Sequence, residues 1–402
     1  MLARFRYRLE PTVVQRSMLA RTFGCVRVVF NDALRCRDKA YRAGETLSST
    51  EVQRRTITEA KTCDARVWLA EVASVALVQS VRDAHRAYQN WFDSIAKCRV
   101  GRKVGHPRFK SRKDSRQSFR LTRNGFVLRP NGRLYVAKVG DVKVRWSREL
   151  PSPPSSVTII REPDGHYYAS FVVDVQPSPL PPIDREAGVD VGLARLATIA
   201  TTDGQRLDVA NPRHLARKLR KLRRLEREKV RRVKGGANRD KTRRKVALAH
   251  SKVVRARRDF HHKQALMLVR DNQAVYVENL NVAGMVKNRR LARAISDAGW
   301  AQFVRLLEEK AERYGRTVHR VSRWLPSSKT CSVCGRVKRD MLLKDRSWRC
   351  PCCGAAHDRD HNAARNILAA GQTERRNACR AGVSPSSGEA VGEEAGSTPI
   401  TA

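Results

Sequence analysis

The chain has few acids and few aromatics. Asp and Glu number 39 against 82 Lys and Arg in 402 residues, a formal net charge of +43. That imbalance makes a polyanion the leading partner, since cations that neutralise phosphates release counterions on binding. The bland alternative is a ribosomal-type or merely soluble basic protein. Aromatics make up 6%, too few for a protein that binds mainly by stacking unpaired bases, so backbone contact to a duplex is expected. Long apolar runs are missing too. No stretch reaches the ~18 residues of a membrane span, and the opening MLARFRYRLEP carries no signal-peptide core. Neither membrane nor export is expected. A disulfide framework is also missing. Five of the ten cysteines lie between Cys331 and Cys353, while Cys25, Cys36, Cys63, Cys98 and Cys379 are scattered as buried thiols would be. This pattern points to a reducing cytoplasm and a metal site.

With 41% hydrophobic residues the length suggests two or three domains. RFRYRL alternates as a strand does and ends at Pro11. Helices are predicted over 13–42, closed by Gly44, from Ser48 with capping-box spacing to Glu51, and over 69–95. The period then changes to two. SFRLTR, GFVLRP, GRLYVAK, DVKVRW, VTIIRE and HYYASFVVDV are short strands between turn signals. The first half therefore reads as a β-barrel with a helical insertion.

QPSPLPP, residues 176–182, is a linker. Beyond it AGVDVG, LATIATT and RLDVA are strands, followed by a basic helical region over 212–271. Then come the strand AVYVEN, a helix over 300–314, the strand TVHRV, the cysteines and a helix over 359–370. This βββαβαβα order is that of an RNase H-like domain. The tail beyond Arg380 has no Lys or Arg and is expected to be disordered.

Two constellations carry chemistry. Cys331-x2-Cys334 and Cys350-x2-Cys353 stand fifteen residues apart, each pair followed by glycine (Gly335, Gly354). Four thiolates at this spacing make a closed, structural zinc site. Cys352 and His357 lack the two-residue spacing and are read as bystanders. The second constellation is Asp190 inside GVDVG, Glu278 ending VYVEN, and Asp360 in the first turn of the last helix. Three converging acids repel unless cations neutralise them. Hard oxygen ligands select Mg2+ or Mn2+, which could activate water for phosphodiester hydrolysis. Singly, each acid has an equally good structural explanation; together, function is the better reading. Asp358 and Asp297 are assigned to capping, of the last helix and of the helix at Trp300. Residues 213–258 hold 21 Lys and Arg against Glu226, Glu228 and Asp240, with Leu215, Leu219, Leu222 and Leu225 in a stripe and Gly235-Gly236 as a break. A helical hairpin contacting phosphates is expected.

GVDVGL, VYVENLNVAGM, ARAISDAGW, WLPSSKTCSVCG and CPCCGAAHDRDHNAARNIL together resemble the TnpB proteins of bacterial insertion sequences, RNA-guided nucleases similar to the presumed ancestors of type V CRISPR effectors. The match is densest over 187–370. The resemblance implies an α/β multi-domain chain: a β-barrel wedge domain (1–10 and 117–176), a helical recognition insertion (11–116), a Pro-rich linker (177–185), a RuvC-like nuclease domain (186–322 and 355–370), a zinc ribbon (323–354) and a disordered tail (371–402). It also implies Asp190, Glu278 and Asp360 as the Mg2+-binding catalytic acids and Cys331, Cys334, Cys350 and Cys353 as zinc ligands. A guide RNA from the element's end and a double-stranded DNA target beside a short motif are the implied partners, with no membrane, in a bacterial, nucleoid-associated cytoplasmic setting. The alternatives are a guide-RNA-bound regulator or transposition accessory that does not cut, and a guide-independent resolvase-like nuclease.

Overall fold

The computed structural model describes residues 1–342 and 345–381. They divide into two compact units, Met1–Gln176 with Arg220–Lys252, and Pro177–Leu219 with the described residues from Val253 onward.

The first unit opens with β1 (Leu2–Glu10), α1 (Val13–Arg42), α2 (Ser49–Gln53) and α3 (Ser74–Ile95). The strands β2 (Gln117–Thr122), β3 (Phe126–Leu128), β4 (Leu134–Val136), β5 (Gly140–Arg145), β6 (Ser156–Arg161) and β7 (Tyr167–Asp174) follow. Pro11 cannot extend β1, and Thr12 starts α1 with a reciprocal cap. Thr12 Oγ1 accepts from the Gln15 amide at 3.3 Å, and Gln15 Oε1 accepts from the Thr12 amide at 3.0 Å. Phe23, Val26, Phe30 and Leu34 recur at helical spacing and are buried with Leu77, Val81 and Ala84 of α3. Phe5, Tyr7 and Leu9 point to the same core at period two.

The seven strands form one antiparallel sheet in the order β2-β6-β7-β1-β5-β4-β3. The barrel expectation holds in part: the strands make a half-barrel sheet whose edges, β2 and β3, do not hydrogen-bond to each other. Two helix expectations shift as well. Ser48 Oγ caps the Glu51 amide at 3.1 Å, but the Glu51 carboxylate turns to Arg54 and Arg55, and α2 passes into a π-turn over Arg54–Thr58. The third helix begins at Ser74, because Val67–Glu71 closes a tighter 3-10 turn.

The second unit contains β8 (Glu186–Val191), β9 (Arg195–Thr201), β10 (Arg206–Ala210), β11 (Ala274–Glu278) and β12 (Thr317–Val321) in the order β10-β9-β8-β11-β12. β9 is antiparallel to both of its neighbours, β10 and β8, while β8, β11 and β12 are parallel. Helices α4 (His214–Arg231) and α5 (Ala237–Asp271) form the basic hairpin, with residues in both units. The short helices α6 (Val282–Met285) and α7 (Ala292–Ala298) lead into α8 (Trp300–Tyr314). β13 (Ser347–Arg349), β14 (Ala356–Asp358) and α9 (Arg359–Ala381) complete the described chain.

Parallel strands covered on both faces read as continuous apolar runs, and alternate residues of β8 and β11 serve different layers. Val189, Val275 and Val277 pack with Leu268 of α5 and with Phe303 and Leu307 of α8. Ala274 and Tyr276 face Ile367 and Leu368 of α9. Each of the Val, Leu, Ile and Phe side chains among these, fully buried, contributes roughly 1.5–3 kcal/mol. α9 runs through 371–381, so that part of the expected tail is helical; 382–402 lie outside the described residues.

Along the hairpin Leu222 and Leu225 of α4 and Val246 and Ala249 of α5 are buried. Arg239 donates to the carbonyls of Lys229 and Arg232, closing the end of α4 at 3.0 and 2.8 Å. The three acids pair locally, Glu226 with Lys229, Glu228 with Arg232 and Asp240 with Arg243. Three carboxylates cannot neutralise 21 cations, so the hairpin keeps a strongly positive surface. Among the described residues no helix is long and apolar enough to cross a membrane.

Candidate active site and cysteine cluster

Asp190 is the penultimate residue of β8 and Glu278 the last of β11. The parallel register matches Val189 with Val277, which sets the two acids side by side at the carboxyl ends of neighbouring strands. Strand alternation fixes their direction. Glu278 lies two residues after Tyr276, which packs on α9, and Asp190 lies two after Gly188. Both therefore face α9. Gly188 allows the helix to come close: a Cβ there would meet the Ala364 carbonyl oxygen at 2.2 Å and the Leu368 amide nitrogen at 2.6 Å. Gly371 does the same from the helix side, where a Cβ would fall 2.1 Å from Cδ1 of Tyr276. With α9 seated so tightly, Asp360 in its first turn stands beside the ends of β8 and β11.

The electrostatics agree with this convergence. Burial, then the charge of Glu278, then that of Asp360 push the Asp190 carboxyl up to about 8. Arg346 Nη1 and Arg195 Nη1 each lie 3.7 Å from an Asp360 oxygen. Asp358 accepts from the Asp360 and His361 amides at 3.1 and 3.0 Å, so it caps α9 as expected, and Arg206 holds its other oxygen at 3.0 Å. Glu278 Oε1 accepts from the Ser327 hydroxyl at 2.6 Å. Sequence patterning marked neither Arg195, Arg346 nor Ser327; Ser327 stands in the WLPSSKTC motif but was assigned no role there.

Asp297 caps a different helix from the one expected. Its carboxylate accepts from the Leu215 and Ala216 amides at 2.8 and 3.0 Å, in the first turn of α4. The start of α8 is instead the left-handed Gly299, φ 68°. Arg257 donates to the Ser296 carbonyl at 2.6 Å and His261 lies 3.0 Å from the Ala298 carbonyl, so α5 and α4 both clasp this corner.

Cys331, Cys334, Cys350 and Cys353 are brought together, their sulfurs all within 4.8 Å of one another. The Cys331–Cys353 and Cys334–Cys350 pairs are each 3.6 Å apart. Tetrahedral thiolates at ~2.3 Å from a zinc ion would stand about 3.8 Å apart, so the donor set fits that metal. The two knuckles are built alike. The Gly335 amide donates to Cys331 O at 2.9 Å and the Gly354 amide to Cys350 O at 3.0 Å, both glycines at positive φ. Amides of Cys353 and Cys352 lower the Cys350 thiol to about 6, favouring its thiolate. Cys352 is exposed and outside the cluster. His357 is closer than a bystander: its Nε2 lies 3.1 Å from Cys331 Sγ, with Trp348 packed against its ring. Of the scattered cysteines whose side chains are described, Cys25 is buried and Cys36 half-buried, whereas Cys63 and Cys98 are exposed in loops that cover no core. The Cys379 side chain lies outside the described residues.

Three family models match the chain: a "Probable transposase" domain of the IS605 OrfB type over 170–289, a Cas12f1-like TNB domain over 300–367, and a "Helix-turn-helix domain" over 1–46. In this structure 1–46 hold β1 and the single long helix α1. A "Putative RNA-guided DNA endonuclease" of Streptomyces pristinaespiralis is 42% identical over 384 residues, covering 95% of this chain and 92% of that protein. One of the same description from Escherichia coli K12, InsQ, is 30% identical and covers 92% of each. Among solved structures, the Cas12f1 protein of a Cas12f1–sgRNA–target DNA complex aligns with a TM-score of 0.54 over 88% of this chain and 82% of its own, at 15% identity, which is likeness of fold. Similarity to such relatives along nearly the whole chain shows that it belongs to the OrfB/TnpB family of IS605-type insertion sequences.

Proposed function

We propose that the chain is an RNA-guided DNA endonuclease that hydrolyses phosphodiester bonds of a DNA target next to a short flanking motif. The observation that carries this reading is the meeting of Asp190, Glu278 and Asp360 at one end of the β8–β11 pair. A carboxyl held up to about 8 by burial and then by two neighbouring acids is a site whose mutual repulsion a divalent cation would relieve. Mg2+ or Mn2+, held by these three carboxylates, would supply an activated water and stabilise the departing ester oxygen. The chain's own residues set the geometry: β8 and β11 fix two ligands, the first turn of α9 fixes the third, and Ser327 holds Glu278. Arg195 and Arg346 offset charge at Asp360 from outside the trio.

The four cysteines would hold zinc as a structural ion, and the open sheet with α1–α3 would serve as wedge and recognition parts. The basic hairpin α4–α5 suits a nucleic-acid backbone, which a guide–target duplex presents regardless of sequence. The names of the relatives, RNA-guided DNA endonucleases, support this reading over a guide-independent nuclease. Replacement of Asp190 by Ala tests it. Cleavage should vanish while copurifying RNA remains bound; loss of RNA together with cleavage would make Asp190 a structural residue instead.

A further inference from the structure

Ser327 stands in the segment between β12 and Cys331 and is 5% exposed. Its hydroxyl donates to Glu278 Oε1, and among the described residues no donor reaches Oε2. The segment is itself tied to the helix that carries Asp360. Asn366 Nδ2 donates to the carbonyls of Ser327 and Thr330, both at 2.7 Å. Asn362, 1% exposed, donates to Thr330 O at 2.7 Å and accepts from the Ser332 amide at 2.9 Å. The two asparagines are one helical turn apart, two and six residues beyond Asp360, so they share a face of α9. One hydrogen-bonded chain thus joins Glu278, the first cysteine knuckle and the helix of the third acid.

We infer that Ser327 is a positioning residue for cation binding: it fixes Glu278 in one rotamer, with Oε2 left as the ligand atom, and the cysteine module acts through it as a buttress of the active site. This rests on the nuclease reading above. A glutamate side chain free to sample its rotamers must be ordered when a cation binds. Ser327 does that ordering in advance, as hydrogen-bond partners of metal ligands do, and removal of such partners typically costs 10–100-fold in metal affinity.

The test uses the full-length protein with its copurified RNA, and Mg2+ as the probe. Mg2+ binding is measured by calorimetry, and the Mg2+ concentration for half-maximal cleavage is measured in parallel. Ser327→Ala should weaken both about tenfold or more, with a melting temperature in EDTA within about 2 °C of wild type. Asn366→Ala, which loosens the segment without touching Glu278, should move both in the same direction by less. Wild-type Mg2+ affinity in Ser327→Ala would overturn the inference, and so would an affinity loss matched by a large fall of the melting temperature in both variants. Glu278→Gln separates the two levels. If it still cuts guided DNA, the nuclease assignment of Glu278 fails. If it is dead while Ser327→Ala binds Mg2+ normally, only the positioning role fails.

Discussion

Gly188→Ala is the smallest change that should disconnect the three acids. The added methyl carbon would lie 2.2 Å from Ala364 O, 2.6 Å from Leu368 N and 2.7 Å from Leu368 Cβ, where ordinary contacts start near 3.4 Å. Two of these neighbours are backbone atoms of α9, so no side chain can swing aside. The helix must retreat from β8 by about 1 Å, or the strand must bulge. Overpacking of this kind typically costs about 1–3 kcal/mol, and sometimes more. A retreat also loosens Ala364, Ile367 and Leu368 from the sheet. Asp360 travels with the first turn of the helix, and a misplacement of ~1 Å in a catalytic group costs on the order of 10²-fold in rate. The assay pairs thermal melting with single-turnover cleavage. The expected outcome is a lower melting temperature and cleavage slowed by about two orders of magnitude, with RNA binding retained. A variant that cuts at the wild-type rate would refute the claim that the close approach of α9 assembles the site. Gly24→Ala in α1 is the control: nothing lies within 4 Å of its added Cβ, so it should stabilise by roughly 0.5–1 kcal/mol.

Further predictions concern charge, metal and caps. Because Asp190 is held up to about 8, folding favours its protonated form. The metal-free protein therefore has this stability in full below the ordinary carboxylate range and loses it as pH rises through about 8. Asp190→Asn should accordingly raise the melting temperature of the metal-free protein at pH 8.5, have little effect at pH 4, and abolish the stabilisation by Mg2+; a lower melting temperature at pH 8.5 would contradict the burial argument. Elemental analysis should find one zinc per chain in wild type and in Cys352→Ser, and a loss in Cys334→Ser; equal loss in Cys352→Ser would mean that the ligand set is wrong. Asp297→Ala removes the acceptor for the first-turn amides of α4 and should destabilise by about 1–2 kcal/mol in chemical unfolding. No change would show that the α4 amides find another acceptor.

What was legible in the sequence is what local rules govern. α1 spans the residues its pattern predicts because Pro11, the Thr12–Gln15 cap and Gly44 act within a few residues of its ends. The cysteine pairs were legible because each knuckle is a five-residue unit closed by its own glycine. The acids were legible only as a set, since the strand order supplies their meeting and no short segment contains two of them on one face. Long-range partners were not. Asp297 precedes α8 in sequence, yet the amides it meets belong to residues 82 and 81 positions away. Ser327 and Glu278 are separated by 49 positions, and nothing in either segment encodes the pairing. Closure of the barrel was over-read for a similar reason: alternation identifies strands but does not say whether the first and last of them pair. His357 was read as a bystander because spacing rules count ligands and overlook groups that hydrogen-bond to them.

The activity proposed for this chain is guided, cation-dependent cutting of DNA. The most direct measurement expresses the chain together with the DNA that flanks its own locus, sequences the RNA that copurifies, and offers plasmids carrying the guide-matched target beside a randomised flank, with Mg2+ or with EDTA. A discrete RNA is expected, with cleavage that needs the matching target, depends on the flank, and stops in EDTA. A discrete RNA without cleavage, or cleavage of branched DNA without any defined RNA, would contradict the proposed activity.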